Sequence, residues 1–137
     1  MKKADPNKIA IIVARKNDSD FVELLESLQQ LIIPDDFYVD ILPITNYSTR
    51  VAACAYAMEQ SDAKYKVYVR EDCKILRKDL LKEIIETFQK NGSIGMVGNS
   101  GTRVIPTHLD CTKAKKRAGM VELADDTVID WGGALKA

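Results

Sequence analysis

The sequence has little to offer several large classes of function. It carries one histidine and three cysteines, Cys54, Cys73 and Cys111. None of the cysteines has C-x-x-C spacing, so a zinc knuckle and a disulfide framework are both disfavoured. A single histidine, His108, rules out a histidine-based metal cluster or histidine pair and reads as a loop residue. Net charge is absent too: twenty basic residues cancel twenty acidic ones. No overall field draws the chain to nucleic acid or to an anionic membrane. Long apolar runs are missing, and the first, starting at Ile9, is too short for a signal core or a membrane span. Odd, unpaired cysteines suit a reducing compartment, so a cytoplasmic location is expected.

What is present is ample apolar material, 46% of 137 residues. That is enough for one core, and one domain over 1–137 is the expectation. Lys8 to Ala14 (KIAIIVA) is a continuous run rich in β-branched residues, as in a strand buried on both faces. Phe21, Leu24, Leu25, Leu28, Leu31 and Ile32 then recur at helical period. Asp20 and Glu23 have capping-box spacing, which predicts a helix over about 19–31. Tyr38 to Ile44 reads as a second strand, with Pro43 hinting at an edge. A second helix is expected over about 49–60 with Val51, Ala52, Ala55 and Met58 inward. Tyr65 to Val69 is a third strand. Leu81, Ile84, Ile85 and Phe88 mark a third helix over about 78–90, stopped by a left-handed turn at Asn91-Gly92. Ile94 to Val97 reads as a fourth strand.

Strand and helix alternate through 8–101, which predicts an α/β domain: a mostly parallel sheet, helices on both faces, three layers. From about 102 the rhythm fails. Val121 to Leu123 and Thr127 to Trp131 read as two short strands, and a domain of this class is expected to continue past the last residue, as if truncated. A sheet edge left open by a missing half would invite a homodimer.

In such folds ligands gather outside the carboxyl ends of the strands. Four loops lie there: Arg15–Ser19, Thr45–Thr49, Arg70–Cys73 and Gly98–Arg103. The third carries two adjacent carboxylates, Glu71 and Asp72. A hard divalent cation needs oxygen ligands, and Mg²⁺ commonly takes one or two carboxylates plus substrate phosphates. Successive strand side chains point to opposite faces, so the pair acts together only if the chain turns, and Asp72 is the better ligand. A solvated acidic turn is the plainer alternative. Cys73 has no identifiable base beside it and reads as a small hydrophobe. Lys113 to Arg117 reads as a solvated basic loop, Trp131 as a cover for the core edge. Gly98-Asn99-Ser100-Gly101 lacks the lysine of a P-loop and the spacing of a dinucleotide fold.

Taken in order, Ile41 to Asn46 (ILPITN), Ala57 to Val69 (AMEQSDAKYKVYV), the acid pair after Arg70, and Ile94 to Gly98 (IGMVG) resemble the nucleotide-sugar-binding half of GT-A-fold, family-two-like glycosyltransferases. In that group a similar strand ends in a His-Gln-Asp or Asp-x-Asp motif. The resemblance covers about 8–101 and implies a Rossmann-like GT-A fold and transfer of a sugar from a nucleotide donor. It implies that Asp72 holds Mg²⁺ or Mn²⁺ against the donor diphosphate. Ala14, Arg15, Asn17, Thr45 and Asn46 would line a UDP-type donor pocket, and Glu71 would join or support it. The match has departures. Ala53 and Ala55 stand where such enzymes carry a glycine and an asparagine. No catalytic base is recognisable, although Asp125, Asp126 and Asp130 are available. A non-catalytic nucleotide-sugar-binding module, or a part needing a partner, is therefore the alternative reading. A flavodoxin- or receiver-like domain ranks below both, because Arg15 and Lys16 occupy the place of its acidic pocket.

Overall fold

The computed structural model describes residues 3–98 in full, and beyond them the backbone of three short strands. Backbone contacts divide the chain into two compact units, Met1–Gly92 and Ser93–Ala137. The first unit runs β1 (Asp5–Ala14), α1 (Asp18–Gln29), β2 (Tyr38–Ile44), α2 (Arg50–Gln60), β3 (Ala63–Arg70) and α3 (Leu80–Lys90). Its sheet is parallel, in the order β2-β1-β3. The second unit holds an antiparallel trio in the order β4-β5-β6, namely β4 (Ser100–Thr102), β5 (Arg117–Glu122) and β6 (Val128–Asp130).

The central strand explains the layering. Ile9 to Val13 are each no more than 1% exposed, as a strand covered on both sides requires. Ile11 and Val13 pack on Phe21, Leu24 and Leu28 of α1. Ile9 packs on Leu81 and Ile85 of α3. The alternate residues Ala10 and Ile12 meet Ala57 of α2 and Ala63. Side chains alternate across a strand, so α1 and α3 cover one face and α2 the other. The result is the three-layer α/β arrangement expected of the sequence.

Several local expectations are corrected. The cap of α1 is Asn17, whose side chain accepts from the Ser19 amide at 3.0 Å; the Asp20–Glu23 box is not used. Asn17 wins because its own amide is pinned by a buried carboxylate, described below, which holds its backbone extended. In α2 the buried residues are Ala53 and Ala57, with Cys54 beside them, while Val51 is 79% exposed and Met58 51%. A helix built largely of alanine has no strong stripe, so its phase follows the small residues Ala10 and Ala63 opposite. Asn91 ends α3 in an extended conformation (φ −138°) rather than a left-handed one. Lys90 in the last turn complements the carbonyl end there. Ile94 to Val97 forms no strand, and Met96 is 90% exposed; Gly95 and Gly98 break up a short apolar run that has little to bury.

Thr49 caps α2 through its hydroxyl, which accepts from the Ala52 amide at 3.1 Å. Thr49→Ala should lower stability by about 1 kcal/mol, with Thr49→Ser nearly neutral, as read by urea unfolding.

Candidate functional site at the strand ends

Register brings the site together. Ala14 pairs with Ile44 on one side and Arg70 on the other, so all three parallel strands finish on one line. The Arg15 amide still donates to the Ile44 carbonyl at 2.8 Å. Residues after that line, Arg15, Thr45 and Glu71, begin three loops side by side.

Glu71 turns inward and is 5% exposed. Its Oε2 accepts from the Lys16 amide at 2.5 Å and the Asn17 amide at 2.9 Å. Those bonds, with Asn17 the stronger influence and Lys16 next, hold its carboxyl below the usual glutamate value. The segment that follows is fastened to the α1 side twice more. The Ile75 amide donates to Ser27 Oγ at 3.1 Å, and the Ile32 amide donates to the Lys78 carbonyl at 2.8 Å.

Asp72 follows in the turn that closes after β3, where the Cys73 amide donates to the Arg70 carbonyl at 3.2 Å, and its side chain is 42% exposed. Arg70 grips both of its oxygens, Nε at 2.8 Å and Nη2 at 2.6 Å. That guanidinium holds the Asp72 carboxyl down at about 2. The carboxylate is ionised throughout the working pH range. Cys73 beside it has its thiol pushed up, first by desolvation and then by Asp72, which disfavours a thiolate nucleophile.

An open cleft lies over the ends of β1 and β2. Ala14, Arg15 and Lys16 line it from the first loop, Ile44, Asn46 and Tyr47 from the second, and Thr49, Arg50 and Ala53 from the start of α2. Asp18 and Thr45 line its more open side. Asn46 is held at φ 65°, a left-handed conformation that asparagine tolerates better than most residues. Tyr47 is half-buried against Tyr56, ring centroids 5.3 Å apart. Arg15 is drawn to Asp18 at 2.5 Å and lies over the Phe21 ring.

Of the residues singled out in the sequence, Ala14, Arg15, Thr45 and Asn46 therefore meet at one cleft. Asn17 is the α1 cap and is not among the residues that line the cleft. Glu71 reaches it through the loop it holds, and Asp72 stands at the end of β3. Lys16, inside the Ala14-to-Asn17 stretch expected at the pocket, lines the cleft as well, while Tyr47 and Arg50 were not singled out individually. Arg50 did leave a signal, because a cation in the first turn of a helix opposes the helix dipole, and α2 has no acidic residue there. His108, Cys111, Lys113 to Lys116, Asp125, Asp126 and Trp131 lie outside the described residues, as does Arg103 in the fourth loop. Asp130 ends β6.

The sequence model of the glycosyltransferase-like family matches residues 10–130. The chain belongs to this glycosyltransferase-like family. No curated protein matches it at a significant level. Within the family's α/β framework, the cleft of this glycosyltransferase-like chain occupies the strand ends where such folds bind ligands. Among the described residues no helix is long and apolar enough to cross a membrane.

The donor set for a metal is narrow. Among the described residues no three His, Cys, Asp or Glu side chains gather to hold an ion. Asp72 offers one ionised, accessible carboxylate, and Arg70 uses about one lone pair on each oxygen, leaving others free. This fits Mg²⁺ or Mn²⁺ taking most of its ligands from a diphosphate and water, rather than a cage of protein ligands.

Proposed function

We propose that the cleft takes the nucleoside diphosphate of a UDP-type sugar donor, and that the chain serves the transfer of that sugar to an acceptor. The observation that carries this reading is the alignment of Ala14, Ile44 and Arg70. It sets a polar, cationic cleft and an ionised carboxylate along one sheet end, in a chain of a glycosyltransferase-like family. In this reading Thr45 and Asn46 hydrogen-bond the nucleoside, Ala14 and Asn17 shape the pocket behind it, and Arg15 meets the phosphates. Glu71 keeps the first loop in place. Asp72 would hold Mg²⁺ or Mn²⁺, whose chemistry when bound is to neutralise charge on the departing diphosphate.

A second reading, a module that binds the donor without turnover, draws on the double grip of Arg70 on Asp72, which competes with a metal for the only accessible acid of that turn. Calorimetric titration of UDP, with and without Mn²⁺, tests the donor site. Mn²⁺ is expected to tighten UDP binding to the native chain, and Asp72→Ala to remove that gain, weakening binding at least tenfold, or about 1.4 kcal/mol. A metal effect that survives in Asp72→Ala would take the metal from this residue. Release of free sugar from a panel of UDP-sugars then separates an enzyme from a binding module.

A further inference from the structure

The carboxylates around the cleft are already matched by the protein itself. Glu71 is spent on the Lys16 and Asn17 amides. The charge of Asp72 is paired with Arg70, and that of Asp18 with Arg15. Lys16 and Arg50, by contrast, line the cleft without an ion pair among the described residues. Arg50 is close enough to Glu71 and Asp72 for its charge to favour their ionised forms. The strand-end surface therefore carries an excess of positive charge that faces open space.

The Glu71 carboxylate has a further consequence. Phosphates in α/β folds often sit on backbone amides where a helix begins. Here the amides of Lys16 and Asn17 already serve an internal anion, and a phosphate brought to them would face that anion's charge. On the first loop an entering phosphate is left with the side chains of Arg15 and Lys16 as its ligands. A dication approaching the same surface alone meets Arg50 and Arg70, and gains little until negative charge arrives with it.

Resting on the donor reading above, we infer that Arg15, Lys16 and Arg50 capture the donor's diphosphate directly and without metal, and that metal joins only the donor-bound chain. Arg15 gives up Asp18 for a phosphate oxygen, an exchange between two exposed anions. Arg50 closes on the diphosphate from the start of α2. Affinity then depends on the count of phosphate charges and falls as salt rises.

The test is calorimetry in EDTA with UDP, UMP and uridine, repeated at two salt concentrations. UDP is expected to bind, UMP about tenfold more weakly, and uridine more weakly still. Arg50→Gln should weaken UDP at least fivefold, with Arg50→Lys recovering most of the loss. Asp18→Asn, which frees Arg15, should tighten UDP about threefold, a gain that damage to the fold does not produce. UDP binding that needs Mn²⁺, or is unchanged in Arg50→Gln, overturns this inference and leaves the donor reading standing. No UDP binding with or without Mn²⁺ overturns the donor reading and this inference with it.

Discussion

Leu24→Ala is expected to destabilise the first unit by about 3 kcal/mol, within the range measured for buried leucines cut to alanine. Leu24 is fully buried and sits in the cluster of Ile11, Val13, Phe21 and Leu28, with Leu25 and Val67 against its rim. Truncation removes transfer energy and leaves a cavity between helix and sheet, where the β-branched side chains of β1 have few rotamers with which to refill it. For a unit of this size the melting temperature should fall by more than about 10 °C. Ile32→Ala is the informative control. It belongs to the same periodic stripe in the sequence, but it lies past the end of α1 and is 58% exposed. Its loss should cost less than about 0.5 kcal/mol. Equal effects at the two positions, in paired thermal melts, would mean that the helix packs in another phase.

That pair also illustrates what the sequence discloses. The unbroken run from Ile9 to Val13 identified the central strand, because only a strand covered on both faces needs apolar residues at every position. Leu24 and Leu28 identified the buried side of α1 through spacing alone. Spacing was silent for α2, where alanines at 52, 53, 55 and 57 make several stripes look alike, and the choice fell to Ala10 and Ala63 across the interface. Ile94 to Val97 reads as a strand by composition, yet strand formation needs a ladder partner that composition does not report. Three of the four expected strand-end loops were legible from the βα alternation, and with them Ala14, Arg15, Thr45, Asn46 and the acid pair; the fourth was placed after Ile94 to Val97, which forms no strand. The opposite fates of Glu71 and Asp72 do not come from strand alternation, because β3 ends at Arg70 and both residues lie in the turn beyond it. What no local pattern tells is which of the two faces inward, since that depends on amides 54 and 55 residues away in the chain. Tyr47 and Arg50 escaped for a related reason: both are ordinary loop and helix residues until β2 and α2 bring them over the end of β1.

Glu71→Ala is expected to lower stability by about 2–3 kcal/mol, since it deletes two hydrogen bonds to a charged acceptor and leaves two amides of a closed loop without their partner. The effect on the cleft should exceed the effect on the fold. Freed from Glu71, Lys16 and Asn17 lose the restraint that orients the first loop, so their amide hydrogens should exchange at least tenfold faster while those of Ile11 and Ile12 follow global stability alone. Glu71→Gln keeps an acceptor oxygen of the same reach and should fall between the two, because a neutral acceptor makes a weaker bond. The charge also sets a pH dependence. The carboxyl is held below its ordinary value of 4.5 in the folded chain, by the Asn17 amide first and then the Lys16 amide. Its contribution is therefore complete above about pH 4.5 and is lost as pH falls from there through the lowered native value. Native protein and Glu71→Gln should thus differ most in stability near neutral pH and converge in acid. A stability difference that stays constant from pH 7 down to pH 3, or amides at 16 and 17 that exchange at native rates in Glu71→Ala, would mean that the buried carboxylate does not hold the loop on which the cleft is built.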